Sequence, residues 1–112
     1  MSERWTEELA AAITVCDVEG RIVEMNAESA RTFAEDGGRA LLGRSVLDCH
    51  PEPARRKLEE LLVTHETNVY TIEKNGRKKL VYQAPWFEKG EFRGIVELVL
   101  PIPFEVPHFV RR

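Results

Sequence analysis

Cysteine is scarce in this chain: 112 residues carry two, Cys16 and Cys49, and no Cys-x-x-Cys pair. A disulfide scaffold needs more thiols at denser spacing, so that class is excluded. The candidate metal ligands are Cys16, Cys49, His50 and His65, and they lack the paired spacing of structural zinc sites, so no metal is expected. Positive charge is not in excess: the net charge is −3 and the pI is near 5.7. A polyanion finds no obvious partner surface there, which argues against nucleic acid and against an anionic membrane. Long apolar runs are missing too. The longest, Ile95 to Phe104, is broken by Glu97, Pro101 and Pro103 and is too short to span a bilayer. No basic stretch followed by an apolar run opens the chain as a secretory leader would. These absences predict a cytoplasmic protein with reduced thiols. Gly37-Gly38 is not followed by Lys-Ser or Lys-Thr, so there is no phosphate loop.

What is present is ordinary globular composition, 43% apolar and 31% charged, at a length that fits one domain and not two. Residues 3–10 pair Trp5 with Leu9 at helical spacing and predict an N-terminal helix over 1–10. Residues 11–25 predict a β-hairpin around Asp17-Val18-Glu19-Gly20. Asn26 is placed to cap a helix over AESARTFA, which Asp36-Gly37-Gly38 stops. Leu41 to Gly43 and Ser45 to Cys49 predict short helical turns. Pro51 and Pro53 mark a new start, and Ala54, Leu58, Leu61 and Leu62 then recur at helical spacing over 53–65. The last third changes to period 2. Asn75-Gly76 and Glu88-Lys89-Gly90 are hairpin turns joining three strands, of which Phe92–Leu100 is the last, ended by Pro101 and Pro103. The domain is expected over 11–103, followed by an extended tail, 104–112. Five antiparallel strands with most helices in one crossover make an α+β fold, with a cavity between helix and sheet.

That order of elements resembles the PAS family. DVEGRIVEMNAESARTF (17–33) is similar to its first hairpin and Asn-capped helix. LLGRSVLDCHPEPARRKLEELL (41–62) is similar to its helical middle and long cavity-side helix, and GRKKLVYQAPWFEKGEFRGIVELVL (76–100) to its last two strands. The resemblance covers roughly residues 10–102. It implies a sensory or signalling domain that binds a small ligand in a helix–sheet pocket and transmits through a homodimer or a signalling partner. Its alternative implication is a ligand-free dimerisation or protein-interaction module. One departure concerns the end of the last strand, where the family often has Asp-Ile-Thr and this chain has Pro101-Ile102-Pro103. Helical transmission from the C-terminus is thereby put in doubt, and the N-terminal helix with Trp5 becomes the expected dimer contact.

The resemblance also tests cofactors. Haem-binding kinases of the family open the same helix with a similar Pro-Glu-Pro, and their ligating histidine lies five residues after the second proline. Matched to Pro51-Glu52-Pro53, that position is Leu58, which cannot ligate iron. The light-sensing members carry a reactive cysteine in Asn-Cys-Arg-Phe-Leu, whereas Cys49 stands in Asp-Cys-His-Pro. The same Cys-His-Pro resembles a subset with a His-Pro at this site, some members of which hold fatty-acid-like or other small apolar ligands. No cofactor is named by these comparisons, and an uncoloured apolar ligand is the expectation. Catalysis is not expected, since neighbours such as Cys49 and His50 on a helix point about 100° apart. The inward positions expected around the pocket are Met25, Phe33, Val46, Leu58, Leu62, Tyr70, Tyr82 and Val96. His50, Tyr70, Tyr82, Leu58, Met25 and Phe33 are the binding residues, with a buried phenol beside His50 as the polar spot. Trp86 and Phe87, beside a turn, are read as a partner contact.

Overall fold

The computed structural model of this chain describes residues 4–112. Its centre is a five-stranded antiparallel sheet built from β1 (Ala12–Cys16), β2 (Ile22–Met25), β3 (Asn68–Lys74), β4 (Arg77–Glu88) and β5 (Glu91–Ile102), in the spatial order β2-β1-β5-β4-β3. The expected α+β architecture is what forms. The two hairpins meet because β1 pairs along its whole length with the middle of β5, from Ala12 opposite Val99 to Cys16 opposite Ile95. Asn75 and Gly76 both take positive φ, 54° and 74°, which gives the β3–β4 turn the twist that the flanking strands require.

Among the described residues, all helical segments fall in the crossover between β2 and β3: α1 (Ala27–Thr32), three short 3-10 turns that end with Val46–Cys49, and α2 (Ala54–Thr64). Cys16, Ile22, Met25 and Ile95 of the sheet pack with Leu41, Val46, Leu58 and Leu61 from this crossover in one buried cluster. Burying such side chains is worth roughly 1.5–3 kcal/mol each for the larger ones, so the crossover is held to the sheet mainly by this contact.

Asn26 does more than cap. Its Oδ1 accepts from Ser29 N, as the cap requires, and also from Ile13 N, both at 2.9 Å. Its Nδ2 donates to the carbonyls of Thr6 and Ala11 at 2.8 Å. One buried amide thus ties the N-terminal segment, β1 and α1 together.

Two boundaries differ from the sequence reading. Residues 5–8 form hydrogen-bonded turns in place of the expected helix, closed by Glu7 N to Arg4 O and Leu9 N to Thr6 O, and residues 1–3 lie outside the described part. A single Trp5–Leu9 pair is too little apolar contact to stabilise so short a helix, and Trp5 is 75% exposed. β5 continues past Pro101 to Ile102. Its partner β1 starts at Ala12, opposite Val99, so Pro101 lies beyond the end of that ladder and its missing N–H costs no bond on that side.

Candidate functional site

An open cleft of about 960 Å3 lies between the start of α2 and the far half of the sheet. Its sheet wall is set by strand register. Thr14, Glu97, Gln83 and Asn68 are direct neighbours on β1, β5, β4 and β3. They make one polar row across the inner face, whose far end also carries Lys79. The next row, Ala12, Val99, Val81 and Tyr70, is apolar.

The polar row is hydrogen-bonded to the crossover and within itself. Thr14 Oγ1 and Ser29 Oγ of α1 lie 2.5 Å apart. Asn68 Nδ2 donates to Gln83 Oε1 at 2.9 Å, and Gln83 Nε2 donates to Glu97 Oε2 at 2.7 Å. His50, just past the Val46–Cys49 turn, places Nε2 2.9 Å from the same Oε2. Both side chains are buried, at 7% and 4% exposure.

The protons can be assigned from these partners. His50 Nδ1 lies 2.9 Å from Val46 O, a carbonyl that only accepts, so Nδ1 carries a hydrogen. One further proton lies between Nε2 and the Glu97 carboxylate, which makes the pair an imidazolium–carboxylate ion pair. Burial alone would lower the His50 pKa. Hydrogen bonds to Cys49 and Glu97 and the Glu97 charge outweigh burial and raise it to about 10. We assign the effect chiefly to Glu97, because the Cys49 thiol donates to Val46 O at 3.3 Å. Tyr70 is pushed up to about 12, by burial first and then by the Glu97 charge, so it stays a phenol.

The structure gathers three of the expected binding residues at the cleft: Phe33, His50 and Tyr70 all line it. The Phe33 and His50 rings are tilted together at 5.9 Å. Met25 and Leu58 are in the adjoining core, 3% and 1% exposed, and do not line the cleft. Tyr82 and Val96 correct the sequence reading. They alternate with Val81, Gln83, Ile95 and Glu97, which face the crossover, so they lie on the opposite face of the sheet, and Tyr82 is 39% exposed. Both faces of β4 and β5 carry apolar residues, and the polar Gln83 and Glu97 point inward, so alternation alone favoured the wrong face.

Sequence reading missed Glu97, Gln83 and Asn68. The available signal was Glu97 itself, a charge inside Ile95–Leu100 at the same parity as Ile95 and Val99. A second difference concerns Cys49 and His50, whose Sγ and Nδ1 come within 3.5 Å. The tight Val46–Cys49 turn followed by an extended His50 folds the two side chains together, where α-helical geometry would separate them. Nδ1 already donates to Val46 O, so it offers the thiol no lone pair, and this is not the arrangement of a base activating a nucleophile. The other thiol, Cys16, is pushed up to about 11, mainly by burial. Trp86 donates its indole N–H to Cys16 O at 3.2 Å, which anchors it within the domain.

The donor set does not fit haem. Both His50 nitrogens are engaged, Leu58 fills the core, and His65 stacks on Phe92 at 3.5 Å without lining the cleft. Among the described residues no three His, Cys, Asp or Glu side chains gather as a metal site, and no helix is long and apolar enough to cross a membrane.

A family model described as the PAS fold matches residues 6–102. Among solved structures, the chain is similar to the PAS domain from Bordetella pertussis BvgS, at 24% identity and a TM-score of 0.62 over 87% of this chain and 80% of that one. It is similar to a sensory box sensor histidine kinase from Vibrio cholerae, at 18% identity and 0.65, covering 87% and 86%. A C-terminal domain from Streptococcus mutans matches at 22% identity and 0.65, covering 85% and 78%. At these identities the likeness concerns the fold. No curated protein matches the chain.

Proposed function

The chain belongs to the PAS family, and from that premise we propose that it is a sensory domain that binds a small, largely apolar molecule in the cleft between α2 and the sheet. Domains of this family are generally sensory modules rather than enzymes. The observation that carries the reading is the cleft. Its volume, about 960 Å3, lies at the upper end of ordinary ligand sites. Phe33, Tyr70, Ile72, Val81 and Val99 give it an apolar lining beside the buried His50–Glu97 pair, and charged side chains such as Arg56, Lys57, Lys74 and Lys79 complete the walls. Val46 O, at the root of the His50 bond, belongs to the crossover, so a ligand that moves His50 would move the crossover against the sheet. Transmission then runs through the sheet and its contacts with a second copy or a signalling partner. A thermal-shift screen of small apolar compounds tests this. A ligand at a hundredfold its Kd adds about 2.7 kcal/mol, a Tm rise of roughly 10 °C for a domain of this size. Val81→Trp, which fills the cleft wall, is expected to abolish the rise. An equal rise in that variant, with its fold verified by circular dichroism, would place binding elsewhere.

The second reading is a ligand-free homodimerisation module. It is favoured by the outer sheet face, where Val69 is 51% and Tyr82 39% exposed beside half-buried Val96 and Leu98. Light scattering of Tyr82→Asp decides it: a dimer that becomes a monomer supports this reading, and a monomeric wild type removes it.

A further inference from the structure

Glu97 has a feature that the His50 pair does not use. Oε2 accepts from Gln83 and shares a proton with His50, while Oε1 is buried without a hydrogen-bond partner among the described residues. A buried carboxylate oxygen left unmatched costs about 1–3 kcal/mol or more, so such an atom on a residue that lines a cleft signals a missing donor. Glu97 lines the cleft and is 3% exposed.

Charge decides what that donor is. The Glu97 carboxylate already has its counter-charge in His50, so an ammonium head would bring a second cation beside the imidazolium. A carboxylate head, as on a fatty acid, would place like charges and two acceptors face to face. A neutral N–H or O–H answers Oε1 and adds no charge. Register sets the size. The apolar row of Val99, Val81 and Tyr70 is one inward step from the Glu97 row, about 7 Å along the strands, and Lys79 with Ile72 stands a further step of about 7 Å. One or two fused rings span that apolar row before meeting Lys79.

We infer that the ligand of this cleft is a small neutral ring compound that donates one N–H or O–H hydrogen bond to Glu97 Oε1 and lies across Tyr70, Val81 and Val99. This rests on the cleft being a ligand site, as proposed above. Because Oε1 is almost fully enclosed, the side chains over it must shift for a donor to reach it, with the donor then at the floor and the ring body toward the opening.

Matched pairs of compounds that differ only in the donor test it: indole against benzofuran, and 2-naphthol against 2-methoxynaphthalene. Titration into 15N-labelled protein, followed by amide shifts, reads both site and affinity. The donor member is expected to bind roughly tenfold tighter or more, as hydrogen bonds to charged groups imply, with shifts at Tyr70, Val81 and Glu97. In Glu97→Gln the amide oxygen takes over the bond from Gln83 and the NH2 group replaces Oε1, so the preference for the donor member is expected to vanish. Equal binding of both members in the cleft of the wild type overturns the donor assignment while leaving the cleft as a site. Unchanged preference in a folded Glu97→Gln overturns the role of Oε1. Absence of cleft shifts with all four compounds at millimolar concentration overturns this inference and the ligand reading together.

Discussion

Replacing His50 by alanine would remove the one cation, among the described residues, that is hydrogen-bonded to Glu97. The carboxylate, 4% exposed, would keep a single donor, Gln83 Nε2. Removing one partner of a buried ion pair costs about 3–5 kcal/mol, chiefly because the other charge stays buried and unpaired. The cleft beside it admits water, so the lower end, about 3 kcal/mol, is expected here. With a urea m-value of about 2 kcal/mol/M, the unfolding midpoint should fall by roughly 1.5 M. Glu97→Gln keeps a hydrogen-bonding side chain and should cost less, about 1–2 kcal/mol. In the double variant no charge remains to be stranded. Its loss should therefore fall short of the sum of the single losses by about 2 kcal/mol. The assay is equilibrium urea unfolding of the four proteins, followed by far-ultraviolet circular dichroism. Additivity within about 0.5 kcal/mol would mean that the two groups do not interact and would refute the ion-pair account.

Stability should also depend on pH through His50. Its pKa is raised in the folded state from 6.5 to about 10, so the folded protein holds a proton that the unfolded chain releases. The contribution is complete below pH 6.5 and is lost as pH rises toward 10. The groups facing His50 are Glu97 on β5 and its neighbour Cys49, with Tyr70 on β3 beside Glu97. Cys16 and Tyr70, also shifted, start from 9.0 and 10.0, so a falling Tm between pH 6.5 and 9 reports His50 and should flatten in His50→Gln. Gly94→Ala should cost roughly 3 kcal/mol or prevent folding, because Gly94 has φ of 144° and a Cβ there would lie 1.8 Å from Cys16 O. A urea midpoint within error of wild type would contradict that packing. Asn26→Ala should cost about 3 kcal/mol, since it strands donors and acceptors from three segments, and faster amide exchange at Ile13 and Ser29 would report it directly.

The fold was legible because its cues are local. Asn26 before AESARTFA, Asn75-Gly76 between two alternating runs, and Leu58 with Leu61 and Leu62 after Pro53 each act within a few residues. The site was legible only in part, because its chemistry is assembled across distance. His50 and Glu97 are 47 residues apart in sequence and meet only because β5 crosses beside β1. Polar residues in strands are usually turned to solvent, so Gln83 and Glu97 gave the alternation the wrong sign and carried Tyr82 and Val96 to the wrong face. The N-terminal helix failed for a different reason: its spacing was helical, but the stripe was too short to hold a helix.

Native mass spectrometry of the wild type and of Val81→Trp, purified without organic solvent, tests the central claim of a ligand-holding cleft most directly. The account predicts a non-covalently bound species of a few hundred daltons on the wild type, released on unfolding and absent from Val81→Trp. The chain mass alone in the wild type, together with no small-molecule binding in the thermal-shift screen, would contradict it.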